Sequence, residues 1–194
     1  ERLIDRPEDT LINQGRGGKV AFTGMTWCGF RPSDDACVYN YSIPENMFAH
    51  EILLELVQIY EKIIRDHNFA LSCKKLANEI WTGIQKYGTM QSKSGKKIYA
   101  FEVDGLNHQL FMDDANVPNL LSLPYLGLLS KDNPIYQSTK NVVLSKENKY
   151  YYQGKYASGL GSPHTPKGYI WPIALAVQGL TTDKREDKRK LLGI

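Results

Sequence analysis

Two amphipathic helices separated by a very short link constrain the fold of this chain more than any other feature. The first follows Ser42 and Glu45, which have the spacing of a capping box, and its apolar residues recur at helical spacing over residues 48–63. The second spans about residues 70–87 with the same periodicity. Because only residues 67–69 separate them, the two helices are predicted to pack antiparallel as an αα-hairpin.

The rest of the chain continues this helical pattern. One helix is predicted to begin near Asn133, another to run from Trp171 to Leu180, and a last one to begin near Asp183. Long loops lead into alternate helices, so the chain is predicted to be all-α, closed as an α/α toroid or stacked as a solenoid. No repeat of about 30–45 residues occurs, which favours the toroid.

A small β element interrupts the helices. Residues 97–103 and 107–111 flank Asp104-Gly105, which is a strong signal for a hairpin turn. The aromatic and Gly-rich segment 150–161 is predicted to be a surface loop instead. The sequence therefore predicts a helical fold with a small β-hairpin insertion.

The charge pattern argues against several classes of partner. The net charge of the 194 residues is +3, and the basic residues form no arginine-aromatic stripe, so no nucleic-acid partner is predicted. Acids interrupt the basic run at residues 184–190, which indicates a solvated helix face. No apolar run has the length of a membrane span, so no membrane partner is predicted.

The cysteines indicate the redox state of the protein's compartment, and the chain ends indicate whether the sequence is part of a longer protein. Cys28, Cys37 and Cys73 are odd in number and lack metal-ligand spacing, which does not indicate a disulfide framework and favours a reduced compartment. The chain begins at Glu1 rather than Met and ends at Ile194 within a helical pattern. We therefore expect it to be part of a longer protein, whose N-terminus leaves the question of a signal peptide open.

Two Asp-Asp-Ala segments are candidates for carrying chemistry. They contain Asp34-Asp35 and Asp113-Asp114, and each pair stands near the start of a helix. Helix starts favour negative charge, so capping explains either pair taken alone. A site for a sugar or another polyol is the alternative, because a carboxylate accepts hydrogen bonds from two neighbouring hydroxyls.

The surroundings of the first pair favour the sugar interpretation. Trp27 and Arg31 lie within nine residues of Asp35. Sugars stack their C–H faces on aromatic rings and present hydroxyls that suit carboxylates and guanidinium groups. An ion pair between Arg31 and an aspartate that tethers the loop is the alternative.

A histidine in a loop braced by proline and glycine is a further candidate. His164 lies in segment 159–166, shortly before Trp171. It is either a structural histidine or a ligand contact, and the aromatic residues nearby favour the contact. A metal held by Asp and His has no support from EF-hand or zinc spacing, so no metal and no cofactor are predicted.

Four segments, in this order along the chain, closely resemble one glycosidase family. They are residues 24–37 (GMTWCGFRPSDDAC), 43–49 (IPENMFA), 113–127 (which opens DDANVP) and 161–173 (which opens GSPHTP). The family is the metal-independent exo-α-1,6-mannosidases of glycoside hydrolase family 125. The resemblance covers nearly the whole chain.

The resemblance implies a partial (α/α)6 barrel, with residues 1–194 as part of a single catalytic domain truncated at both ends. It implies an inverting hydrolase that removes terminal α-1,6-linked mannose from mannose-containing oligosaccharides such as N-glycan-type α-1,6-mannosides, and it favours a cytoplasmic location. Asp34 or Asp35 is the expected general acid. The general base is expected beyond Ile194, so this chain alone is expected to be inactive.

The same resemblance suggests which residues bind the sugar. Asp113, Asp114, Arg31 and His164 are the expected hydroxyl ligands, while Trp27 and Trp171 are the expected stacking walls. Two alternatives stay open. One is a non-catalytic or degenerate fragment that binds mannosides, and the other is an inverting (α/α)6 glycosidase with a different sugar specificity.

Overall fold

The computed structural model describes residues 9–193 and is rich in helix, as predicted. The helices are α1 (Ile12–Gly15), α2 (Ile43–Ile59), α3 (His67–Tyr87), α4 (Pro134–Val143), α5 (Pro172–Leu180) and α6 (Arg185–Leu192). The strands are β1 (Tyr41–Ser42), β2 (Thr89–Gln91), β3 (Lys97–Tyr99), β4 (Glu102–Val103), β5 (Gln109–Leu110), β6 (Tyr151–Gln153) and β7 (Ser158–Leu160). Across residues 9–193, no helix is both long and apolar enough to cross a membrane.

Helices α2 and α3 form the predicted αα-hairpin, with a tighter link than the sequence suggested. The π-helical turn Tyr60–Ile64 extends α2, and Arg65 then adopts a left-handed conformation with φ 64°. Asp66 caps α3 by accepting a 3.0 Å hydrogen bond from the amide of Phe69. The cap lets α3 begin at His67, so two residues join the helices.

The start of α2 is fixed by strand pairing rather than by the predicted capping box. The Ser42 side chain makes no cap hydrogen bond. Ser42 instead lies in β1 opposite Glu102, and the amide of Ile43 donates to the carbonyl of Phe101 at 2.9 Å. This pairing supplies a partner for one of the amides that a helix start leaves unpaired.

The predicted hairpin forms over a shorter stretch than expected. Strands β4 and β5 pair antiparallel across a five-residue loop, residues 104–108, in which the Asp104 carboxylate accepts hydrogen bonds from two backbone amides. Strand β1 extends this sheet to the order β1-β4-β5. Residues 97–99 pair with β2 instead, because the chain passes to the other sheet at the buried residues 100–101.

The predicted surface loop at 150–161 contains a hairpin of its own. Strands β6 and β7 pair antiparallel, with Tyr151 opposite Leu160. Gly159 packs closely against α5, since a Cβ on it would lie 2.8 Å from the side chain of Leu175. The interpretation as a loop was wrong because the close approach to α5, which explains the glycine, is not visible locally.

One core connects the sheets to the helices. Its fully buried side chains include Ile43 of α2, Phe101 beside β4, Tyr136 of α4 and Leu160 of β7. Burying a side chain of this size stabilises a fold by about 1.5–3 kcal/mol. The Tyr136 hydroxyl donates to the carbonyl of Leu121 at 2.9 Å, so the core also holds the loop that follows the second Asp pair.

We expect Gly83→Ala in α3 to destabilise the protein by about 1–3 kcal/mol, the usual cost of overpacking. A Cβ at this position would lie 2.4 Å from the carbonyl oxygen of Thr23 and 2.8 Å from the Met25 side chain. Urea unfolding measures the change. Ser72→Ala, on the exposed face of the same helix, is the control and should change the free energy of unfolding by less than about 0.5 kcal/mol. Equal midpoints for the two variants would contradict this prediction.

Candidate active site

Residues 29–37 form a tight loop, here called the acid loop. It contains the first aspartate pair and gives its two members different environments. Its tip is closed by hydrogen bonds of 2.8 Å from the amide of Arg31 to the carbonyl of Asp35 and from the amide of Asp34 to the carbonyl of Arg31. Asp34 has φ 70°, a left-handed conformation that aspartate tolerates better than most residues. The Asp34 side chain is exposed, whereas Asp35 is buried.

Asp35 faces a histidine that is distant in sequence. Its carboxylate oxygen Oδ2 accepts a 2.6 Å hydrogen bond from the Ser33 hydroxyl and lies 3.4 Å from Nε2 of His164. Asp35 is 3% exposed. The structure therefore brings Asp35 and His164 together and leaves Asp34 at the surface.

Arg31 makes a buried ion pair with a residue that the sequence did not single out. Its Nε lies 2.5 Å from Oε1 of Glu102, which is fully buried in β4. The other carboxylate oxygen of Glu102 accepts hydrogen bonds from the amides of Val38 and Tyr39, at 2.9 and 3.0 Å. Burial opposes the guanidinium charge, but the hydrogen bond to Glu102 and the attraction of nearby negative charges, that of Glu102 first, together outweigh it and raise the pKa of Arg31. Glu102 thus acts as a clamp that joins Arg31, within the acid loop, to the backbone that directly follows the loop.

The two members of the second aspartate pair also differ in their surroundings. Both oxygens of Asp113 accept hydrogen bonds from backbone amides, of Leu120 at 2.8 Å and of Leu121 at 2.9 Å. Asp113 is fully buried, and burial raises its pKa. Its oxygens are occupied by the loop that follows, so we do not retain Asp113 among the sugar ligands. The predicted helix start is wrong here, because residues 115–129 form bends and turns, and Asp113 has the structural role of holding the turn at Leu120 and Leu121.

Asp114 keeps one oxygen available. Its Oδ1 accepts a 2.8 Å hydrogen bond from the amide of Asn116, whereas Oδ2 is buried without a hydrogen-bond partner among the described residues. Nη2 of Arg31 is also buried and unpartnered within residues 9–193. Burial raises the pKa of Asp114, an effect that the charge of Arg31 opposes and that of Asp35 reinforces. Buried polar atoms of this kind usually have a partner, and a ligand can supply it.

Arg31 and Asp35 border an open cleft of about 650 Å³, whereas Asp114 and His164 are not among the residues that line it. Its walls combine charged, hydroxyl and aromatic side chains: Arg31, Asp35, Ala36, Val38, Leu110, Lys149, Tyr150, Tyr152, Ser162, Pro163, Thr165 and Lys167. Burial raises the pKa of Tyr150 to about 12, so its hydroxyl stays protonated at neutral pH. Burial also lowers the pKa of Lys149, whose Nζ lies 4.7 Å from the centre of the Tyr150 ring. Such a mixture of aromatic faces and hydrogen-bonding groups suits a carbohydrate.

The two predicted tryptophan walls do not line this cleft in the part of the chain that the structure describes. The Trp27 ring lies over Gly17 and Gly29, where an added Cβ would approach ring atoms to 3.0 and 3.3 Å. Trp171 donates from Nε1 to the Thr165 hydroxyl at 3.0 Å and so supports one wall from behind. The aromatic residues that do line the cleft are Tyr150 and Tyr152.

Asp9 is a further residue that sequence reasoning missed. One oxygen each of Asp9 and Asp35 and a ring nitrogen of His164 all lie within 4.8 Å of one another. The Oδ1 atom of Asp9 is buried and has no hydrogen-bond partner in the described chain. No local sequence pattern distinguishes Asp9 from a surface acid, so only the fold reveals this proximity.

The whole chain, residues 1–194, matches the family model described as metal-independent α-mannosidase, GH125. The chain belongs to glycoside hydrolase family 125. The resemblance predicted from the four segments is therefore confirmed, and the protein belongs to a hydrolase family of α-mannosidases. Because the family is described as metal-independent, we assign no metal to the trio of Asp9, Asp35 and His164.

Two relatives of this family 125 chain are informative. The solved structure of a metal-independent α-mannosidase from Streptococcus pneumoniae, in a non-productive complex with α-1,6-mannobiose, is 52% identical with a TM-score of 0.95, and the match covers 99% of this chain and 46% of that one. The meiotically up-regulated gene 157 protein of Schizosaccharomyces pombe is 42% identical over 196 residues, which is 100% of this chain and 38% of that protein. The chain thus spans less than half the length of either relative.

Proposed function

We propose that this chain forms part of an exo-acting, inverting glycoside hydrolase that releases terminal α-1,6-linked mannose from N-glycan-type oligosaccharides. Membership of family 125 supports the mannosidase activity. The α-1,6-mannobiose held by the Streptococcus pneumoniae relative supports the linkage. The same likeness supports an (α/α)6 barrel for the whole protein, of which residues 1–194 contribute part.

The burial of Asp35 beside the cleft is the observation that carries this proposal. We assign Asp35 as the general acid that protonates the departing glycosidic oxygen, because Asp34 is directed to the surface. We assign Nη2 of Arg31, which is unpartnered among the described residues, as a donor to a sugar oxygen and Oδ2 of Asp114 as an acceptor from a hydroxyl. His164, 3.4 Å from Asp35, either donates to the sugar or orients the acid.

The base of an inverting pair must lie farther from Asp35 than Asp9 does. Inverting glycosidases hold their two carboxyl groups about 6.5–9.5 Å apart, so that a water molecule fits against the sugar. An oxygen of Asp9 lies within 4.8 Å of one of Asp35, which leaves too little room. The resemblance to family 125 leads us to propose a base beyond Ile194, and we expect residues 1–194 alone to bind mannosides without turning them over.

The experiment that tests this function uses the full-length protein that carries this chain. It is incubated with the methyl glycoside of α-1,6-mannobiose, so that the non-reducing mannose is the one free sugar released, and the anomer of that mannose is followed by proton NMR. We expect β-mannose as the initial product, no change when a chelator is added, and little cleavage of α-1,2- or α-1,3-mannobiose. Initial release of α-mannose would contradict inversion, and equal cleavage of all linkages would contradict the specificity.

A mannoside-binding protein without catalysis is the second candidate. It is favoured by one observation, that the buried Nη2 of Arg31 and Oδ2 of Asp114, unpartnered among the described residues, suit a bound sugar whether or not it is cleaved. Calorimetric binding of α-1,6-mannobiose by the full-length protein, together with unchanged disaccharide after long incubation, would support this candidate over the enzyme.

A further inference from the structure

Two cysteines lie at the base of the acid loop, one on each of its arms. Cys28 immediately precedes the loop, and Cys37 ends it with an amide that donates to the carbonyl of Gly29 at 2.9 Å. Between them, Phe30 and Ala36 face each other as an antiparallel pair. Cys28 Sγ donates a 2.8 Å hydrogen bond to the carbonyl of Phe30, and the Cys37 thiol lies close enough to Cys28 to lower its pKa. The fold therefore holds two sulfur atoms side by side across the loop that carries Asp35.

We infer that Cys28 and Cys37 form a reversible disulfide site whose closure, driven by a small-molecule disulfide such as oxidised glutathione, ties the acid loop into a covalent ring. Cys28 is partly exposed, and Cys37 is buried behind it. An accessible thiol with a neighbouring resolving thiol is the usual arrangement of a redox-sensitive pair. Cys73 is buried with Val57 and Ala70 in a separate cluster and does not compete.

The surroundings give the two thiols different roles. The interaction between them lowers the pKa of Cys28 and raises that of Cys37, so Cys28 is the first nucleophile. The carboxyl group of Glu45 is near Cys28, and its Oε2 is buried without a hydrogen-bond partner among the described residues; burial raises the pKa of Glu45, which suits it to take a proton from a thiol. Glu45 is thus a local proton acceptor for the exchange.

The exchange with oxidised glutathione balances in two steps. The Cys28 thiolate attacks one sulfur of glutathione disulfide, forms a mixed disulfide and releases one glutathione thiolate. Cys37 then loses its proton, and its sulfur attacks the Cys28 sulfur and releases the second glutathione. The pair is oxidised by two electrons, and one glutathione disulfide is reduced to two molecules of glutathione.

Closure must change the shape of the acid loop. A disulfide brings its sulfur atoms to about 2.05 Å, closer than any hydrogen-bonded pair of thiols. The two arms therefore move together, and Arg31 and Asp35 lie between them. The effect of this movement on mannoside cleavage rests on the proposed function, whereas formation of the disulfide does not.

Peptide mapping of the full-length protein tests the disulfide directly. The native protein is incubated with oxidised glutathione, its remaining thiols are alkylated, and it is cut with an endoprotease that cleaves before aspartate, which separates Cys28 from Cys37 at Asp34 and Asp35. We expect the two cysteine peptides to remain joined until a reductant is added, with Cys73 alkylated throughout. Separate, alkylated peptides would overturn the inference, as would glutathione left on Cys28 of the wild-type protein.

Variants and activity measurements test both the formation of the disulfide and its effect on the acid loop. Cys37→Ser should stop at a glutathione adduct on Cys28, and Cys73→Ser should cross-link like the wild-type protein. Oxidation should lower cleavage of α-1,6-mannobiose by about 10²-fold, the cost of misplacing a catalytic group by an ångström, and reduction should restore it. A cross-linked protein with unchanged cleavage would overturn the effect on the loop. Absence of cleavage in the reduced protein would count against the proposed function and leave the mapping result intact.

Discussion

Asp35→Asn is expected to lower turnover of α-1,6-mannobiose by about 10²–10⁴-fold in the full-length protein, the range that general acid catalysis contributes. An asparagine of nearly equal size keeps its place beside Ser33 and His164, but it has no proton to give to the departing oxygen. Binding of the disaccharide should therefore survive. Steady-state kinetics and calorimetry measure the two effects separately.

Asp34→Asn is the matched control, because Asp34 is the neighbouring aspartate at the exposed tip of the same loop. Its turnover should stay within a few-fold of the wild-type value. An aryl α-mannoside with a good leaving group gives a second control, since it needs little protonation and should be cleaved by the Asp35 variant far better than the disaccharide. Loss of turnover in the Asp34 variant with retention in the Asp35 variant would reverse the assignment.

Glu102→Gln is expected to destabilise the protein by about 3–5 kcal/mol, the usual cost of removing one partner from a buried ion pair. The change leaves the Arg31 guanidinium buried without its countercharge. One end of the glutamine amide is also a donor, and it would face either Arg31 or the amides of Val38 and Tyr39. Denaturant unfolding of the full-length protein measures the change.

An exposed ion pair provides the comparison for Glu102. Glu186 and Lys190 lie 3.2 Å apart on the surface of α6, one helical turn from each other. Pairs of this kind contribute about 0–1 kcal/mol, so Glu186→Gln should shift the unfolding midpoint slightly. If both variants unfold at the wild-type midpoint, the clamp does not stabilise the acid loop.

Features that depend on local sequence were predictable. The apolar spacing that defines α2 and α3, and the Asn133-Pro134 start of α4, are local signals, and the structure has a helix at each place. The Asn133 side chain accepts hydrogen bonds from the first two amides beyond the proline. Its role needs no distant contact, and so the sequence reveals it.

The roles within each Asp-Asp pair were not predictable, because neighbours in sequence face different surroundings. Asp35 differs from Asp34 in its contact with His164, and Asp113 differs from Asp114 in capping the amides of Leu120 and Leu121. These differences follow from tertiary packing. One clue was available for Glu102, since it is the lone acid in the apolar segment 98–103 and an isolated charge there requires a partner.

The clamp between Arg31 and Glu102 also has a consequence for the order of folding. It joins residues that are 71 positions apart in the chain, and β4 must pair with β1 before Glu102 reaches the acid loop. Contacts of such long sequence separation close slowly, after local helices such as α3 have formed. We therefore expect the αα-hairpin to form while the acid loop is still open, so that partly folded chains lack the arrangement that surrounds Asp35.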